Sequence, residues 1–567
     1  MSNKLFALLI LTILFFSCKD QSTPDAEGVI TAKGGVRYGG NFRFMSNEKV
    51  NSLHPLESTD VYSTRIVMQI YEGLLKIDAS STDLVPALAK KTEVNETSTL
   101  FTFHLRDDVF FHDDPCFENG KGRKVTANDF KYVFELACSN SENNDLAYLV
   151  KDKILGAADY YEGKVDHVEG LRVVDSLTLE IELEKPFSGF KKVLTHSGLA
   201  VFPKEAIEKY GEDFKKHAVG TGAFKLDVFQ DDKIVLKRNN NYWDKDDFGN
   251  PLPFLETVTM TYSKDKTDEL LSFREEKIDL VLDIPVEEVE NVLGTLNEAQ
   301  LGENVKHIVD SKASMSITYY GFAHESEVFS KKEVRRAFNM AVDRKSIIDN
   351  YLSGEGWPTL NGFVPKMKGY PINDVNGYSY DVAAAQELMK KAGYPNGKNF
   401  PKVAVYVNAL EGSGGHKLAQ AVKSALKENL GVDIEIELVE FNEREEKIQS
   451  GDAIFWRSGW VADYPDPENF LNLFYSGNID HGSTTINPFK YKNDEFDKTF
   501  ESALAETNEE ERMKLFAKCD QILIDDAAVM PLVTDDFVTM VNLKVRKFVT
   551  NEVEQLDFSR IFIKEIN

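Results

Sequence analysis

The chain has 567 residues, with 66 Lys and Arg against 93 Asp and Glu and a formal net charge of −27. The length suits about two to four structural units with ample core. The charge argues against nucleic acid, whose phosphates need clustered cations, and against polybasic adhesion to anionic lipid. The acidity reports solubility and does not define a ligand.

Lys4 begins a positive leader, 5–16 is apolar apart from one Thr, and Ser17-Cys18 follows. This run is too short to span a bilayer and has signal-peptide proportions, so 1–17 is expected to be a signal peptide. A small residue before a cysteine at the end of such a run resembles the lipobox of bacterial lipoproteins, although Phe15 stands where that pattern usually has Leu. The resemblance implies that Cys18 becomes the lipidated first residue of an exported protein. Such a protein is membrane-anchored and faces the periplasm or the cell exterior. The following 18–35 stretch, rich in small and polar residues, is expected to be a flexible tether. No later apolar run reaches the roughly eighteen residues a membrane helix needs.

Strand and helix patterns then alternate without an internal repeat. Leu100–Leu105 alternates apolar and polar, the period of a half-buried strand. Thr126 is expected to cap a helix reaching about Cys138, with Asp129 three residues on. A strand is expected over 233–237. Ser330 and Glu333 form a capping-box pattern for one helix running through Ile347 and Ile348. Asp381 is expected to cap a helix to Ala392, followed by Gly393 at the C-cap and then Pro395. Strands over 403–407 and 432–439 flank a helix near 416–430. The fold class is α/β or α+β. Cys116, Cys138 and Cys519 remain once Cys18 is set aside; Cys116 and Cys138 flank one short segment and are expected to pair, the alternative being three reduced core thiols.

The most informative stretch is Arg457-Ser458-Gly459-Trp460-Val461-Ala462-Asp463-Tyr464-Pro465-Asp466-Pro467. A carboxylate suits an ammonium, a guanidinium suits a carboxylate, and an indole face covers what lies between, so the segment suits both ends of a zwitterion. The competing reading is a buried turn whose charges pair with each other.

Catalytic patterns are weak. Gly412-Ser413-Gly414-Gly415-His416 lacks the nucleophile elbow and reads as a turn before a helix. Gly220-Thr221-Gly222 has no third glycine at dinucleotide spacing. The acids near Asp244 fail the calcium-loop pattern at Phe248 and Leu255, and His104 and His112 lack zinc-ligand spacing. No catalytic residue, metal or cofactor is expected.

Several segments in order carry a resemblance. They are Leu53-His54-Pro55-Leu56, Tyr71-Glu72-Gly73-Leu74-Leu75, Phe101-Thr102-Phe103-His104-Leu105-Arg106, Val109-Phe110-Phe111-His112-Asp113 and Thr126-Ala127-Asn128-Asp129-Phe130. Then come Val219-Gly220-Thr221-Gly222-Ala223-Phe224, Arg238-Asn239-Asn240-Asn241-Tyr242-Trp243, the run from Val334 to Arg344, and Ala392-Gly393-Tyr394-Pro395. The set resembles the extracytoplasmic solute-binding lipoproteins of peptide and oligopeptide ABC transporters. That resemblance implies a periplasmic-binding-protein-like clamshell of two lobes with an extra domain. Lobe one would use 36–80, 200–303 and 535–567, the extra domain 81–199, and lobe two 304–534. It implies a monomeric, non-catalytic receptor that encloses peptide by hinge closure and delivers it to permease subunits.

The resemblance also assigns the opening segment. Trp460 and Asp463 match a Trp followed three residues later by Asp on the family's cleft, so Asp463 would hold the peptide ammonium and Trp460 would line a side-chain pocket. Arg457 would take the carboxylate of a short peptide. Gly459 and Val461 would offer backbone groups to the peptide as an added strand. Asp466 is expected to shape the turn. Related members take nickel chelates, sugars or other solutes, which is the alternative ligand class. A lipid-anchored peptidase is the alternative from another class.

Overall fold

Two large sheets and a smaller one organise the chain in the computed structural model, which describes residues 30–282, 307–352, 356–479 and 486–564. The expected signal peptide, Cys18 and the expected tether as far as residue 29 lie outside the described residues. The end of the expected tether is not free. Thr31 bridges Arg37, Lys33 N donates to Asn250 Oδ1 at 3.2 Å, and Asn250 Nδ2 returns a bond to Lys33 O at 3.0 Å. The cause is Val36, which is fully buried with Leu252 and Phe254 and pins the chain just beyond this point.

The first large sheet has seven strands. In spatial order they are His307–Ala313, Asp536–Asn542, Leu280–Leu282, Asn41–Ser46, Thr257–Tyr262, Lys233–Arg238 and Phe224–Gln230. The second has six: Trp357–Pro358, Val529–Thr534, Ser316–Phe322, Phe455–Val461, Ala404–Val407 and Glu435–Leu438. The chain crosses between them twice, through Ser314 and Met315 and through Asp535. The 304–534 range expected for lobe two therefore opens with a strand, His307–Ala313, that hydrogen-bonds into the other sheet. The third sheet, of four strands, pairs Ala89–Val94, Leu100–Leu105, Thr178–Glu182 and Leu171–Asp175.

Cores follow the sheets. One cluster joins Phe42 and Phe44 of the seven-stranded sheet to Phe101, Phe103 and Leu179 of the four-stranded sheet, so these two sheets share a core. The six-stranded sheet has apolar packing on both faces. Ser316–Phe322 is buried at every position, and its alternation sends Ile317 and Tyr319 into one cluster and Tyr320 and Phe322 into the other. This is the α/β two-lobed architecture with an extra domain. Among the described residues no helix is long and apolar enough to cross a membrane.

Local signals translate unevenly. Helix Ala127–Ala137 starts with the expected box: Thr126 N donates to Asp129 Oδ2 at 2.8 Å. Helix Val382–Lys391 is capped by Asp381, whose Oδ1 accepts from Ala384 N at 2.9 Å. The helix expected from Ser330 through Ile348 is instead two, Lys332–Met340 and Arg344–Tyr351. Asp343 caps the second, and the Ser330 hydroxyl donates to Glu327 O. The buried arginines of this region, Arg335 and Arg344, bond carbonyls. Arg335 donates to Phe329, Asp526 and Ala527, and Arg344 to Pro531 and Asn339, because burial leaves buried carbonyls that need donors.

The Cys116–Cys138 pair is not formed; both are free thiols, as is Cys519. Cys138 caps helix Ala127–Ala137 with its side chain in the shared core, while Cys116 sits in a turn where its N–H donates to Asp114 Oδ1 at 2.7 Å. Each thiol thus already has a local packing role. Burial pushes the Cys116 thiol up to about 12, with Asp114 adding to the effect. Gly220 and Gly222 serve close approach: a Cβ on Gly220 would lie 2.1 Å from Ile70 O, and Gly222 N donates to that oxygen at 2.8 Å.

Candidate functional site

The informative segment divides in two. Its first half is strand Phe455–Val461. One edge pairs continuously with Ser316–Phe322, from Phe322 opposite Phe455 to Ser316 opposite Val461. The other edge pairs with Ala404–Val407 only at Trp456 and Arg457. Ser458 to Val461 therefore present unpaired backbone groups to the space between the sheets. An extended chain could add there as a strand, with affinity from main-chain bonds that ignore side-chain identity. A Cβ on Gly459 would meet nothing nearer than 3.5 Å, so this exposed glycine leaves the approach clear.

Two adjoining chambers occupy that space, of about 960 and 540 Å³. Arg457, Val461, Tyr62, Arg65 and Glu554 line both. Gly459, Trp460 and Asp463 line the smaller, facing Tyr148 and His196. The expected site residues are thus brought together in one cleft. Contributors invisible in the sequence come from distant elements: Arg65 from helix Val61–Ile70, Tyr148 and His196 from the extra domain, and Glu554 from near the C-terminus. No local motif marks them, because only the approach of separate elements gives them a common cavity.

At the acidic end, Asp463 is held and left chargeable. Asn469 is the organiser: its Oδ1 accepts from Trp460 Nε1 at 2.8 Å and from Asp463 N at 3.2 Å, and its Nδ2 donates to Asp463 Oδ2 at 3.2 Å. The other oxygen, Oδ1, lies 3.6 Å from His196 Nε2. Burial lowers the His196 pKa from its ordinary value, with Asp463 opposing, so the ring is neutral at pH 7. Gly198 N donates to His196 Nδ1 at 2.9 Å, which puts the neutral ring's proton on Nε2, toward Asp463. The carboxylate, 32% exposed, faces a neutral ring rather than a counter-cation, and its charge stays available for a ligand ammonium.

At the basic end, Arg457 points into the larger chamber. Burial lowers the guanidinium pKa from its ordinary value, with Tyr320 and Asp535 opposing. Its Nε is buried without a hydrogen-bond partner. The guanidinium lies against helix Gly414–Leu430: a Cβ on Gly415 would sit 3.4 Å from Arg457 Nη1. Ser413, the N-cap, makes no side-chain cap bond to that helix. A guanidinium and the start of a 17-residue helix converge there, both suited to an anion such as a carboxylate.

The second half of the segment turns away from the cleft. Asp466 is 1% exposed. Its carboxylate accepts from Arg512 Nη1 and Nη2 at 2.9 and 2.7 Å and from Lys192 Nζ at 3.0 Å, and it caps helix Pro467–Leu471 through Glu468 N. Burial alone would raise this carboxyl, but Arg512 and Lys192 outweigh it and hold the group well below the carboxylate range. Glu468 accepts from Tyr464 OH at 2.6 Å and lies 3.4 Å from Lys153 Nζ. Lys153 and Lys192 belong to the extra domain's range, so this half ties the six-stranded lobe to that domain. Among the described residues no group of three or more His, Cys, Asp or Glu could hold a metal ion.

The comparisons with known proteins agree with this architecture. The model for bacterial extracellular solute-binding proteins, family 5 Middle, matches residues 83–482. The chain is 29% identical over 555 residues to the oligopeptide-binding protein OppA of Bacillus subtilis, covering 95% of each. It is 28% identical over 494 residues to the periplasmic oligopeptide-binding protein OppA of Salmonella typhimurium, covering 86% of each. Among solved structures, the periplasmic binding protein DppA of Helicobacter pylori in complex with peptide STSA aligns with a TM-score of 0.80 at 25% identity, covering 93% of this chain and 99% of that one. Members of this family are substrate-binding transport proteins rather than enzymes. With the family model spanning most of the chain and the two-lobed fold matching throughout, this protein belongs to the bacterial extracellular solute-binding proteins, family 5.

Proposed function

We propose that this chain captures peptides between its lobes and delivers them to the permease of an ABC importer, without catalysis of its own. The observation that carries the reading is the open strand edge at Ser458 to Val461, set between the Asp463 carboxylate and the Arg457 guanidinium. A peptide has an ammonium, a hydrogen-bonding main chain and a carboxylate in that order, and the cleft supplies a partner for each. The relatives include oligopeptide-binding proteins, and one structural neighbour was solved in complex with a peptide, which supports the same class.

In this reading Asp463 holds the ammonium, Gly459 and Val461 bond the main chain, Trp460 covers a side chain, and Arg457 takes the carboxylate of a short peptide. Cys18 carries the lipid that keeps a monomeric receptor at the membrane, beside permease subunits energised by a separate ATPase. Native mass spectrometry of the protein purified from its own cells tests the ligand class. Peptide masses released on unfolding are expected; a sugar or metal chelate in their place would overturn it. Metabolic labelling with palmitate of the full chain and of Cys18→Ala tests the anchor, and equal labelling of both would remove it.

A further inference from the structure

The four-stranded sheet shares its core with the seven-stranded one, so the extra domain moves with that lobe. The six-stranded lobe is tied to this body by the two crossings and meets the extra domain across a charged face. Lys153 and Lys192 stand on one side. Ile154, next to Lys153, bridges Leu183 beside the four-stranded sheet, and Phe190, on the same short helix as Lys192, packs on Phe101 with ring centroids 5.2 Å apart. On the other side the six-stranded lobe presents Asp466, Glu468 and Glu509 with one cation, Arg512. The extra domain thus brings two positive charges and the lobe a surplus of two negative ones, and they balance only when the faces meet.

The contacts are close. Lys192 Nζ lies 3.0 Å from Asp466 Oδ2 and 3.3 Å from Glu509 Oε1, and Lys153 Nζ lies 3.4 Å from Glu468 Oε1. Burial opposes the charge of Lys192, but Asp466 and Glu509 outweigh it and hold its pKa above the ordinary lysine value. Gly189 lets the Arg512 guanidinium lie on the extra domain's backbone, since a Cβ there would sit 2.5 Å from Arg512 Nη2. Two ion pairs that cross between the lobes elsewhere, Lys264 with Glu440 and Lys368 with Asp83, are exposed at both ends and contribute little.

The face has the makeup of one that parts. Of the described buried residues between Ser314 and Thr534, only Tyr464 enters the core shared by the other two sheets, so charge rather than apolar burial holds the contact. Asp466 keeps Arg512 and the cap of helix Pro467–Leu471 when Lys192 leaves. Glu468 Oε1 is buried with no hydrogen-bond partner, so water reaching it on opening offsets the loss of Lys153. The same face completes the acidic end of the cleft, because Tyr148 and His196, which face Asp463, lie on the extra domain.

We propose that Lys153 and Lys192 are the latch that closes this receptor, and that by drawing in the Asp466 turn they position Asp463 for the ligand ammonium; this rests on the peptide reading above only for what the closed cleft holds. Apparent affinity then scales with the fraction of receptor that is latched.

The Lys153→Met, Lys192→Met double variant tests it, keeping the apolar stems and removing the charges. Calorimetry with trialanine should show about tenfold weaker binding, and X-ray scattering a less compact ligand-free protein. The urea midpoint should stay near that of the unaltered protein, because opening solvates the carboxylates left behind. Arginine at both positions should restore binding. Unchanged trialanine affinity would overturn the latch. A sharp fall in the urea midpoint alongside the lost affinity would also overturn it, since that marks a permanent interface. If neither trialanine nor a tryptic digest binds the unaltered protein, the proposed function fails, and scattering alone decides the latch: equal compactness of the two proteins would overturn it.

Discussion

Asp463 and Asp466 stand three residues apart in one short segment, yet they do opposite work. Asp463 ends the strand half, stays partly exposed in the cleft and has no cation against it. Asp466 begins the turn half, is sealed from water and is gripped by Arg512 and Lys192. What separates them is geometry. The strand keeps its direction to Val461 along Ser316–Phe322, and Pro465 and Pro467 then swing the chain toward the extra domain. A binding carboxylate needs water on one side and no resident partner; a structural one needs the reverse.

Substitutions can break this contrast. The largest effect on stability is expected from Asp466→Ala, which leaves Arg512, whose side chain is 0% exposed, charged with only the longer contact to exposed Glu509 at 3.4 Å. Removing one partner of a buried pair costs about 3–5 kcal/mol, so the urea midpoint should fall sharply. Asp463→Ala should leave that midpoint nearly unchanged. It should instead weaken free peptides by about 2–4 kcal/mol and N-acetylated peptides far less; equal losses in calorimetry would refute the ammonium role.

Arg457→Ala should cost about 1–3 kcal/mol of affinity for peptides of one length only, because a guanidinium anchored against Gly415 reaches a fixed distance. A loss uniform across lengths would make Arg457 a structural residue. The pH dependence sharpens the comparison further. Asp466 is depressed in the fold, so its pair contributes stability fully above the unfolded carboxyl value of about 3.9 and loses it as the pH falls toward the folded value. Asp466→Asn should flatten the acid limb of a stability-against-pH curve.

The smallest effect concerns the thiols. In a form beginning after Cys18, Cys138 and Cys519 are expected to resist a thiol reagent until the protein unfolds, while half-buried Cys116 reacts slowly in the native state. Denatured, unreduced protein should then titrate all three; only one reactive thiol would restore the Cys116–Cys138 bridge.

Much of this was legible along the chain. The capping box at Thr126 and the Asp381 N-cap are local, as is the alternation of Leu100–Leu105, and such signals survive folding because neighbours in sequence are their partners. The Ser330 reading failed because its box competed with a better break: Asp343 caps a second helix and buried Arg344 is drawn to the Pro531 carbonyl. The disulfide reading failed for a related reason. Two cysteines near one segment say nothing about direction, and the core claimed Cys138.

The sequence by itself determined the class of the protein and the segment that meets the cleft. Strand periodicity, ordered family blocks and the Arg457 to Asp463 spacing need only local chemistry. Tertiary structure decided which charges are free. The neutral ring of His196 beside Asp463, the start of helix Gly414–Leu430 beside Arg457, and Lys192 of the extra domain against Asp466 all join residues far apart in the chain. Burial and the approach of separate elements set whether a charge is paired or waiting, and neither quantity is carried by residue order.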